Sequence, residues 1–313
     1  MWLKRFTDYL FQHRWQALLL TFVSTFIPVI GIIGILIAAL VTLVKGVVEG
    51  AIFTFAAILP YLITSALSSS SEVAPPLVAW AAIGVAVLSN VLTWVFAVML
   101  RRQSSFSQIL QIAALCGVLV ISIIHLIYPD VATWWGNQLQ SYYHQAAAIA
   151  PDVLKPPLSP SAANETQLES INITKHYATG LMIAAIIFNA ILQLIVARWW
   201  QAIVFNPGNL RVELRSIRLS QLAGILFIVS LVFSYLGNSV VLDIMPILYI
   251  LFASAGLSLI HYLFGLSYSA TKWFWLSALY ITLIFTLPVS VLLVAMVALV
   301  DVWADVRKRI KKV

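Results

Sequence analysis

The chain has 313 residues, of which 62% are hydrophobic and only 9% are charged, and its formal net charge is +7. Because a soluble domain carries about 25% charged residues, this composition excludes a protein that folds in water behind a polar surface. Long unbroken apolar stretches also exclude the period-two alternation of an outer-membrane barrel. We therefore predict an all-α fold, a polytopic bundle of transmembrane helices that forms a single domain over residues 1–313.

The chain is predicted to contain about 8–9 membrane segments, each of about 20 residues, with the first and the last broken. Residues 15–44 are too long for one span, and Pro28 interrupts them. Residues 273–303 are also over-long and contain Pro288. The basic N-terminus resembles the start of a signal peptide, but the length of the apolar run favours a retained membrane segment. The predicted segments are 15–29, 32–44, 50–67, 77–100, 109–128, 177–197, 219–236, 240–264 and 273–303.

Basic residues distinguish the possible topologies, because loops rich in Lys and Arg stay in the cytoplasm. If residues 15–44 turn back, Lys45 and the loop 198–218 lie on the same side as the N-terminus. A single crossing would instead move that loop outside. The same argument places the basic residues 307–312 inside only if residues 273–303 also return. We therefore predict that both termini are cytoplasmic.

Residues 130–176 are predicted to form a long external loop. The first part, residues 131–149, is rich in Trp and Tyr, which favour the level of the lipid headgroups, so an interfacial helix is expected there. The second part, residues 151–172, is rich in Pro, Ser and Asn, and this composition predicts an irregular segment.

Residues 198–220 are predicted to form an amphipathic connector on the cytoplasmic side. Residues 210–220 are expected to be a surface helix, with Leu210, Leu214 and Ile217 on one face. The connector either binds anionic lipid headgroups or docks a cytoplasmic protein partner, and the sequence leaves both interpretations open. The candidate docking residues are Trp199, Trp200, Arg211, Arg215 and Arg218.

Strongly polar side chains inside apolar segments are costly in lipid, so each of them is a candidate for function. The candidate ligand-binding residues are Asn90, Asn189, Gln193 and His261. They either form a pocket for a small molecule or act as interhelical hydrogen bonds, worth about 0.6–2 kcal/mol each. Ionisable residues also lie near the ends of apolar segments, at His125, Asp243, Asp301 and Asp305. The last two are expected to neutralise the basic residues 307–309.

Catalytic motifs are missing from the sequence. It contains no P-loop, no Gly-rich nucleotide fingerprint, no HExxH motif and no grouping of Ser, His and Asp. Its single cysteine, Cys116, excludes an intrachain disulfide, and no Cys/His metal spacing occurs. We therefore predict that the protein is not an enzyme and has no cofactor. We interpret its basic residues as topology signals, and we expect the lipid bilayer and no nucleic acid among its partners.

Four local patterns occur in order along the chain. They are Pro28-Val-Ile-Gly31 followed by Val41-Thr-Leu-Val-Lys45-Gly46 and Gly50; Arg198-Trp-Trp-Gln201 followed by Phe205-Asn-Pro-Gly208, Glu213-Leu-Arg215 and Arg218; Gly256 with His261; and Asp301-Val-Trp-Ala-Asp305-Val-Arg307. Together they resemble the YybS-like family of bacterial membrane proteins of unknown function. The resemblance covers most of the chain except the external loop 130–176, and it implies a location in the bacterial inner membrane.

That family more distantly resembles the substrate-binding membrane subunits of energy-coupling-factor vitamin transporters. This resemblance implies a small helical bundle that binds a solute, with separate ATPase and membrane subunits as partners that supply the energy. The chain matches no vitamin-specific pattern of those subunits. The alternative hypothesis is a non-enzymatic scaffold or assembly factor that docks a cytoplasmic partner through residues 198–220.

Overall fold

A computed structural model describes residues 2–27, 30–67, 76–149, 160–266, 271–287 and 289–310. Within these ranges all regular structure is helical, and five helices (α4, α5, α6, α9 and α12) are long and apolar enough to cross a membrane. The all-α polytopic fold is thereby confirmed. The helices are α1 Trp2–Gln12, α2 Arg14–Thr25, α3 Ile32–Val44, α4 Val47–Leu67, α5 Pro76–Arg101, α6 Phe106–Ile127, α7 Val131–Ile149, α8 Pro160–Thr174, α9 Ala178–Phe205, α10 Asn209–Arg215, α11 Gln221–Tyr235, α12 Ser239–Leu266, α13 Lys272–Phe285, α14 Val289–Ala304 and α15 Val306–Ile310.

The first apolar segment is a hairpin of two short helices, as its length and its proline predict. Helices α2 and α3 have 12 and 13 residues, so each is roughly 18–20 Å long, which is shorter than a hydrocarbon core of about 30 Å. They pack closely, because a Cβ at Gly34 would lie 2.6 Å from Thr25 Oγ1. Lys45 Nζ, after α3, donates to the Phe11 carbonyl before α2 at 2.6 Å. The chain therefore returns to the face where the hairpin began; Pro28 itself lies outside the described residues.

The last apolar segment is also divided, into α13 and α14, and Pro288 between them lies outside the described residues. Helix α14 packs along α12 so tightly that a Cβ at Gly256 would meet the Val294 carbonyl oxygen at 2.1 Å. Beyond α14, Arg307 donates to the carbonyls of Arg215 and Ile217 at 2.8 Å each. The end of α12 reaches the same place, because a Cβ at Gly265 would touch the Arg215 guanidinium. The second hairpin therefore also starts and ends on one face.

Helices α3, α9 and α12 form the centre of the bundle. Ile37, Leu194 and Phe252, one from each helix, are completely buried, and α9 packs against α3, α5, α6 and α12. Polar side chains gather at the two ends. We call the end that holds Lys45, Arg101, Arg198, Arg218 and Arg307 the basic face, and the end that holds His125 and Asp243 the opposite face.

The two polar ends are separated by the thickness of a membrane. Along α9, Gly180 lies at the opposite face and Arg198 at the basic face. The 18 helical steps between them span roughly 27 Å, close to the hydrocarbon thickness of about 30 Å. The apolar band between the two ends therefore fits the interior of a bilayer.

Two predicted segments differ from the structure. Residues 151–172 were expected to be irregular, but α8 is a helix from Pro160 to Thr174; Pro at the first turn favours helix initiation, and the following Glu, Gln and Leu residues propagate it. The expected surface helix over residues 210–220 ends at Arg215. The carbonyls of Arg215 and Ile217 accept hydrogen bonds from the Arg307 side chain instead of from the backbone of a longer helix. Ser220 then caps the start of α11.

Replacing Gly180 by alanine is expected to lower the thermal stability. An added Cβ would lie 1.6 Å from the Asp243 carbonyl oxygen, so α9 and α12 must move apart, and overpacking of this kind costs about 1–3 kcal/mol. Thermal unfolding of the purified protein in detergent measures the loss. The matched control is Gly84→Ala on α5, where an added Cβ meets no atom within 4 Å. Equal melting temperatures for the two variants would contradict the close approach of α9 and α12.

Candidate functional site

The polar residues predicted in the middle of the bundle lie along the seam between α5 and α9. Thr93 Oγ1 donates to Gln193 Oε1 at 2.5 Å, and Ser89 Oγ donates to the Ile186 carbonyl at 3.3 Å. Asn90 is buried on α5 and Asn189 is half-buried on α9. The bonds of Gln193 and Ser89 join the two helices directly, which favours the interpretation of this seam as interhelical hydrogen bonding.

His261, the fourth predicted ligand-binding residue, serves another interface. Its Nε2 lies 3.1 Å from the Tyr280 hydroxyl, and its Nδ1 lies 2.9 Å from the Leu257 carbonyl. The contact with Tyr280 joins α12 to α13, whereas the contact with Leu257 lies within α12. Gln193 therefore bonds across the interface of α5 and α9, and His261 bonds across the interface of α12 and α13.

A cavity of about 550 Å³ opens at the basic face. It lies between the end of α3, the turn from α5 to α6, the end of α9, and α10, and its volume falls in the range of roughly 300–1,000 Å³ typical of small-molecule sites. We call it the basic-face cavity. Its polar lining includes Arg101, Gln103, Ser104, Arg198, Gln201, Glu213 and Ser216.

The charged residues of the basic-face cavity differ in how they are paired. Arg198 binds Glu213 through two nitrogens, with Nε 3.0 Å from Oε2, and its Nη1 also donates to Gln201. Arg101 Nη1 donates to the carbonyls of Thr42 and Leu43, at 3.2 and 3.0 Å, where a cation is favourable at the C-terminal end of α3. Two arginines face one glutamate, so one positive charge is left without a carboxylate partner in the lining.

Sequence reasoning missed this cavity because its members come from four separate segments. The sequence marked Arg101 only as one of the basic topology signals, and Arg198, Gln201 and Glu213 only as parts of the connector 198–220 and of a family-like pattern. The usable signal was the spacing of that pattern across the turn 206–208, which brings Glu213 back to Arg198.

Three of the five candidate docking residues are engaged in contacts within the protein, and two face outward. Trp200 is buried, where its Nε1 donates to Thr7 at 2.8 Å. Arg218 is bound to Asp305 at 2.9 Å, and Arg215 lies against the end of α12 at Gly265. The residues that face outward are Trp199, which is 51% exposed, and Arg211.

A clamp at the C-terminus holds the connector in place. Arg307 binds the carbonyls of Arg215 and Ile217, and its Nη2 lies 3.3 Å from Ser258 Oγ. The buried Asp301 carboxylate lies 3.7 Å from Arg307 Nε, which confirms the predicted neutralisation. The Arg307 guanidinium therefore helps to fix the connector that carries Glu213 to α12 and α14, together with the bond from Ser258 Oγ to the Leu214 carbonyl.

Asp305 completes the clamp from the end of α14. It bonds to Lys308 and to Arg218, each at 2.9 Å. The hydrogen bond from Lys308, followed by the charge of Arg218, lowers the pKa of the Asp305 carboxyl although partial desolvation opposes the shift. Asp305 also adopts a left-handed φ of 45°, a conformation that Asp tolerates better than most residues. This carboxylate stays ionised at neutral pH and keeps Arg218 on the clamp.

A buried hydrogen-bonded pair of side chains joins three helices at the opposite face. His125 Nε2 on α6 lies 3.0 Å from Asp243 Oδ2 on α12, and their side chains are only 7% and 3% exposed. The other oxygen, Asp243 Oδ1, accepts the Gly180 backbone N–H at 2.6 Å. The residue before α9, Tyr177, provides no side-chain cap, so Asp243 caps α9 from a neighbouring helix. A carboxylate at this N-terminus and a histidine in the last turn of α6 both match the helix dipoles.

Within the described ranges, no group of three or more His, Cys, Asp or Glu side chains is placed to hold a metal ion. His125 and Asp243 were recognised separately as costly residues at segment ends, but their pairing was not predictable. They lie 118 positions apart, and nothing local to either residue indicates the other.

Asp243→Ala is expected to destabilise the protein by about 3–5 kcal/mol, because it leaves His125 and the start of α9 without their buried partner. Asp243→Asn is the matched control, since its amide oxygen can still accept from Gly180 and its NH₂ group can donate to neutral histidine. The Asn variant should lose on the order of 1 kcal/mol. Chemical denaturation in detergent measures both. Equal losses for the two variants would show that the hydrogen bonds of this carboxylate do not hold the three helices.

The comparisons with known proteins give one family. A family model with the description "Predicted membrane protein (DUF2232)" matches residues 17–302, a range that includes the whole lining of the basic-face cavity and the pair His125 and Asp243. No curated protein matches the chain, and no solved structure does.

Proposed function

The chain belongs to the DUF2232 family of predicted membrane proteins. We propose that this membrane protein is a subunit that binds a small solute in the basic-face cavity. The observation that supports the proposal is the polar cavity of about 550 Å³ at the end of an apolar helix bundle. The sequence contains no ATP-binding motif, so active movement of the solute would need a separate ATPase.

The basic-face cavity supports solute binding better than the seam between α5 and α9. At the seam, the Gln193 amide is already bonded to Thr93 and the helices are in contact. At the cavity, charged and neutral polar groups converge on a space of ligand size, which is the usual arrangement of a small-molecule site. The solute site is therefore proposed at Arg101, Gln103, Ser104, Gln201 and Ser216.

The basic face is proposed to lie in the cytoplasm, in the inner membrane of a bacterium. Loops rich in Lys and Arg remain on the cytoplasmic side, and the contacts of Lys45, Arg101, Arg198 and Arg307 gather these residues at one end of the bundle. Both termini then lie in the cytoplasm, and α7 lies outside the cell.

Cysteine labelling tests this orientation, and the chain is suited to it because Cys116 is its only cysteine. In a Cys116→Ala background, Asp130→Cys at the opposite face should react with a membrane-impermeant maleimide in intact spheroplasts. Arg211→Cys at the basic face should react only after the membrane is permeabilised. The reverse pattern would contradict the proposed orientation.

A second candidate function is a scaffold that docks a cytoplasmic partner through residues 198–220. Exposed residues on the basic face favour it: Trp199, Arg211 and Val212, which is 67% exposed. Photo-crosslinking from the Arg211→Cys variant should then trap one defined cytoplasmic protein. Recovery of lipid adducts alone would count against a docking role.

Solute binding is tested by thermal shift of the purified protein against a panel of vitamins and small polar metabolites. At least one compound should raise the melting temperature of the wild type. Ser216→Phe, which fills the cavity, should abolish that shift. Val212→Phe places the same side chain on α10 outside the cavity lining and should keep it. A wild type that no compound stabilises, or a shift that survives in Ser216→Phe, would overturn the proposed site.

A further inference from the structure

We propose that the group recognised in the basic-face cavity is a phosphate, carried either by a soluble phosphorylated solute or by the headgroup of an anionic phospholipid. This inference deepens the proposed function and rests on it. It is carried by the charge balance of the lining, by Arg101 at the end of α5, and by the position of the cavity at the membrane boundary.

The charge balance leaves Arg101 as the available cation. Both oxygens of Glu213 are occupied, because Oε2 and Oε1 accept from Arg198 and Oε1 also accepts from Asn209 at 2.6 Å. Glu213 and Arg198 therefore neutralise each other within the wall. The described hydrogen bonds of Arg101 both start at Nη1, although a guanidinium carries donors on three nitrogens. An incoming anion can thus bind Arg101 without breaking an ion pair.

The chemistry of the wall matches a phosphate group. A planar guanidinium donates two parallel bonds to adjacent anionic oxygens, a geometry that phosphate and carboxylate both accept. Phosphate has more oxygens to satisfy than carboxylate, and neutral donors beside Arg101 can reach them. Gln103 and Ser104 follow Arg101 on the same turn, and both line the cavity.

Gln103 stands in a backbone conformation that usually belongs to glycine. Its φ is 69°, and the turn ends α5 with two closing bonds, Gln103 N to Leu100 O and Ser104 N to Met99 O, each 3.1 Å. Glycine is the common residue at this position of such a helix end, and strained residues cluster at ligand sites. A glutamine at this position adopts an unfavourable backbone conformation, and it places a side-chain amide at the cavity wall.

The position of the cavity also favours phosphate. The cavity lies at the basic face, roughly 27 Å along α9 from the opposite face. This is the depth at which the phosphate groups of the lipids begin. Basic pockets between helices on the cytoplasmic side commonly bind anionic headgroups. A soluble phosphorylated solute would reach the same groups from the water.

The experiment compares three small probes of one carbon skeleton on the full-length protein in detergent: glycerol 3-phosphate, glycerate and glycerol. In parallel, native mass spectrometry measures the retention of phosphatidylglycerol relative to phosphatidylcholine. Either glycerol 3-phosphate should bind more tightly than glycerate and glycerol, or phosphatidylglycerol should be retained selectively. The first result identifies a soluble phosphorylated ligand, and the second identifies a lipid headgroup.

Substitutions test whether the phosphate probe binds in the basic-face cavity. Arg101→Gln should weaken whichever phosphate probe binds by about tenfold or more, the usual consequence of losing a bond to a charged group. Arg102→Gln, the neighbouring arginine outside the cavity lining, should bind as the wild type does. Gln103→Gly should also bind more weakly, while its melting temperature equals or exceeds that of the wild type. That combination excludes misfolding as the cause, even if Arg101→Gln loosens α3.

The outcomes separate this inference from the proposed function. Glycerate that binds as well as glycerol 3-phosphate, or phosphate binding unchanged in both Arg101→Gln and Gln103→Gly, would overturn the inference. If an unphosphorylated compound of the panel binds instead and Ser216→Phe abolishes its effect, solute binding in the cavity stands and phosphate recognition fails. If no probe and no panel compound binds, both fail.

Discussion

The rest of the structure depends on the cost of placing charge in hydrocarbon. Each arginine of the basic face must remain at the membrane boundary, and two hairpins that each return to the basic face meet this condition. Helices α2 and α3, with 12 and 13 residues, are too short for a bilayer of about 30 Å. Their return puts Lys45 beside Phe11, and the return of α14 puts Arg307 beside Arg215. An odd number of crossings in either place would drive several guanidinium groups to the other side.

The two ends of the bundle are held by different chemistry, and the difference follows from hydration. At the basic face, Arg101 is exposed to water and bonds to carbonyls at the end of α3, whereas the Arg307 side chain is only 11% exposed and lies beside the Asp301 carboxylate. At the opposite face, the pair His125 and Asp243 is almost fully enclosed, so its desolvation must be offset by its own contacts and by the helix dipoles. The centre between the two ends is mainly apolar, and the polar side chains buried there include the bonded pair Thr93 and Gln193.

The sequence predicted those features that depend on local composition. Over-long apolar runs with an internal proline, and basic residues that needed to share one side, were sufficient to predict both hairpins. The helix α8 was missed because its flanking prolines and serines suggested a loop, whereas Pro160 begins the helix. The end of α10 was missed because it depends on the guanidinium of Arg307, which donates to the carbonyls of Arg215 and Ile217. The cavity and the pair at Asp243 were missed for the same reason: both are made of residues that only packing brings together.

Two of the patterns that suggested a family resemblance, residues 198–218 and 301–307, meet at one wall of the basic-face cavity. The connector carries Glu213 and Ser216, and it is held from two directions. Arg198 of α9 binds Glu213 on one side, and Arg307 after α14 binds the carbonyls of Arg215 and Ile217 on the other. A wall fixed at both ends keeps its polar groups in place before a ligand arrives, so less ordering entropy opposes binding. The distant C-terminal pattern is therefore explained by the shape of the cavity, although none of its residues lines it.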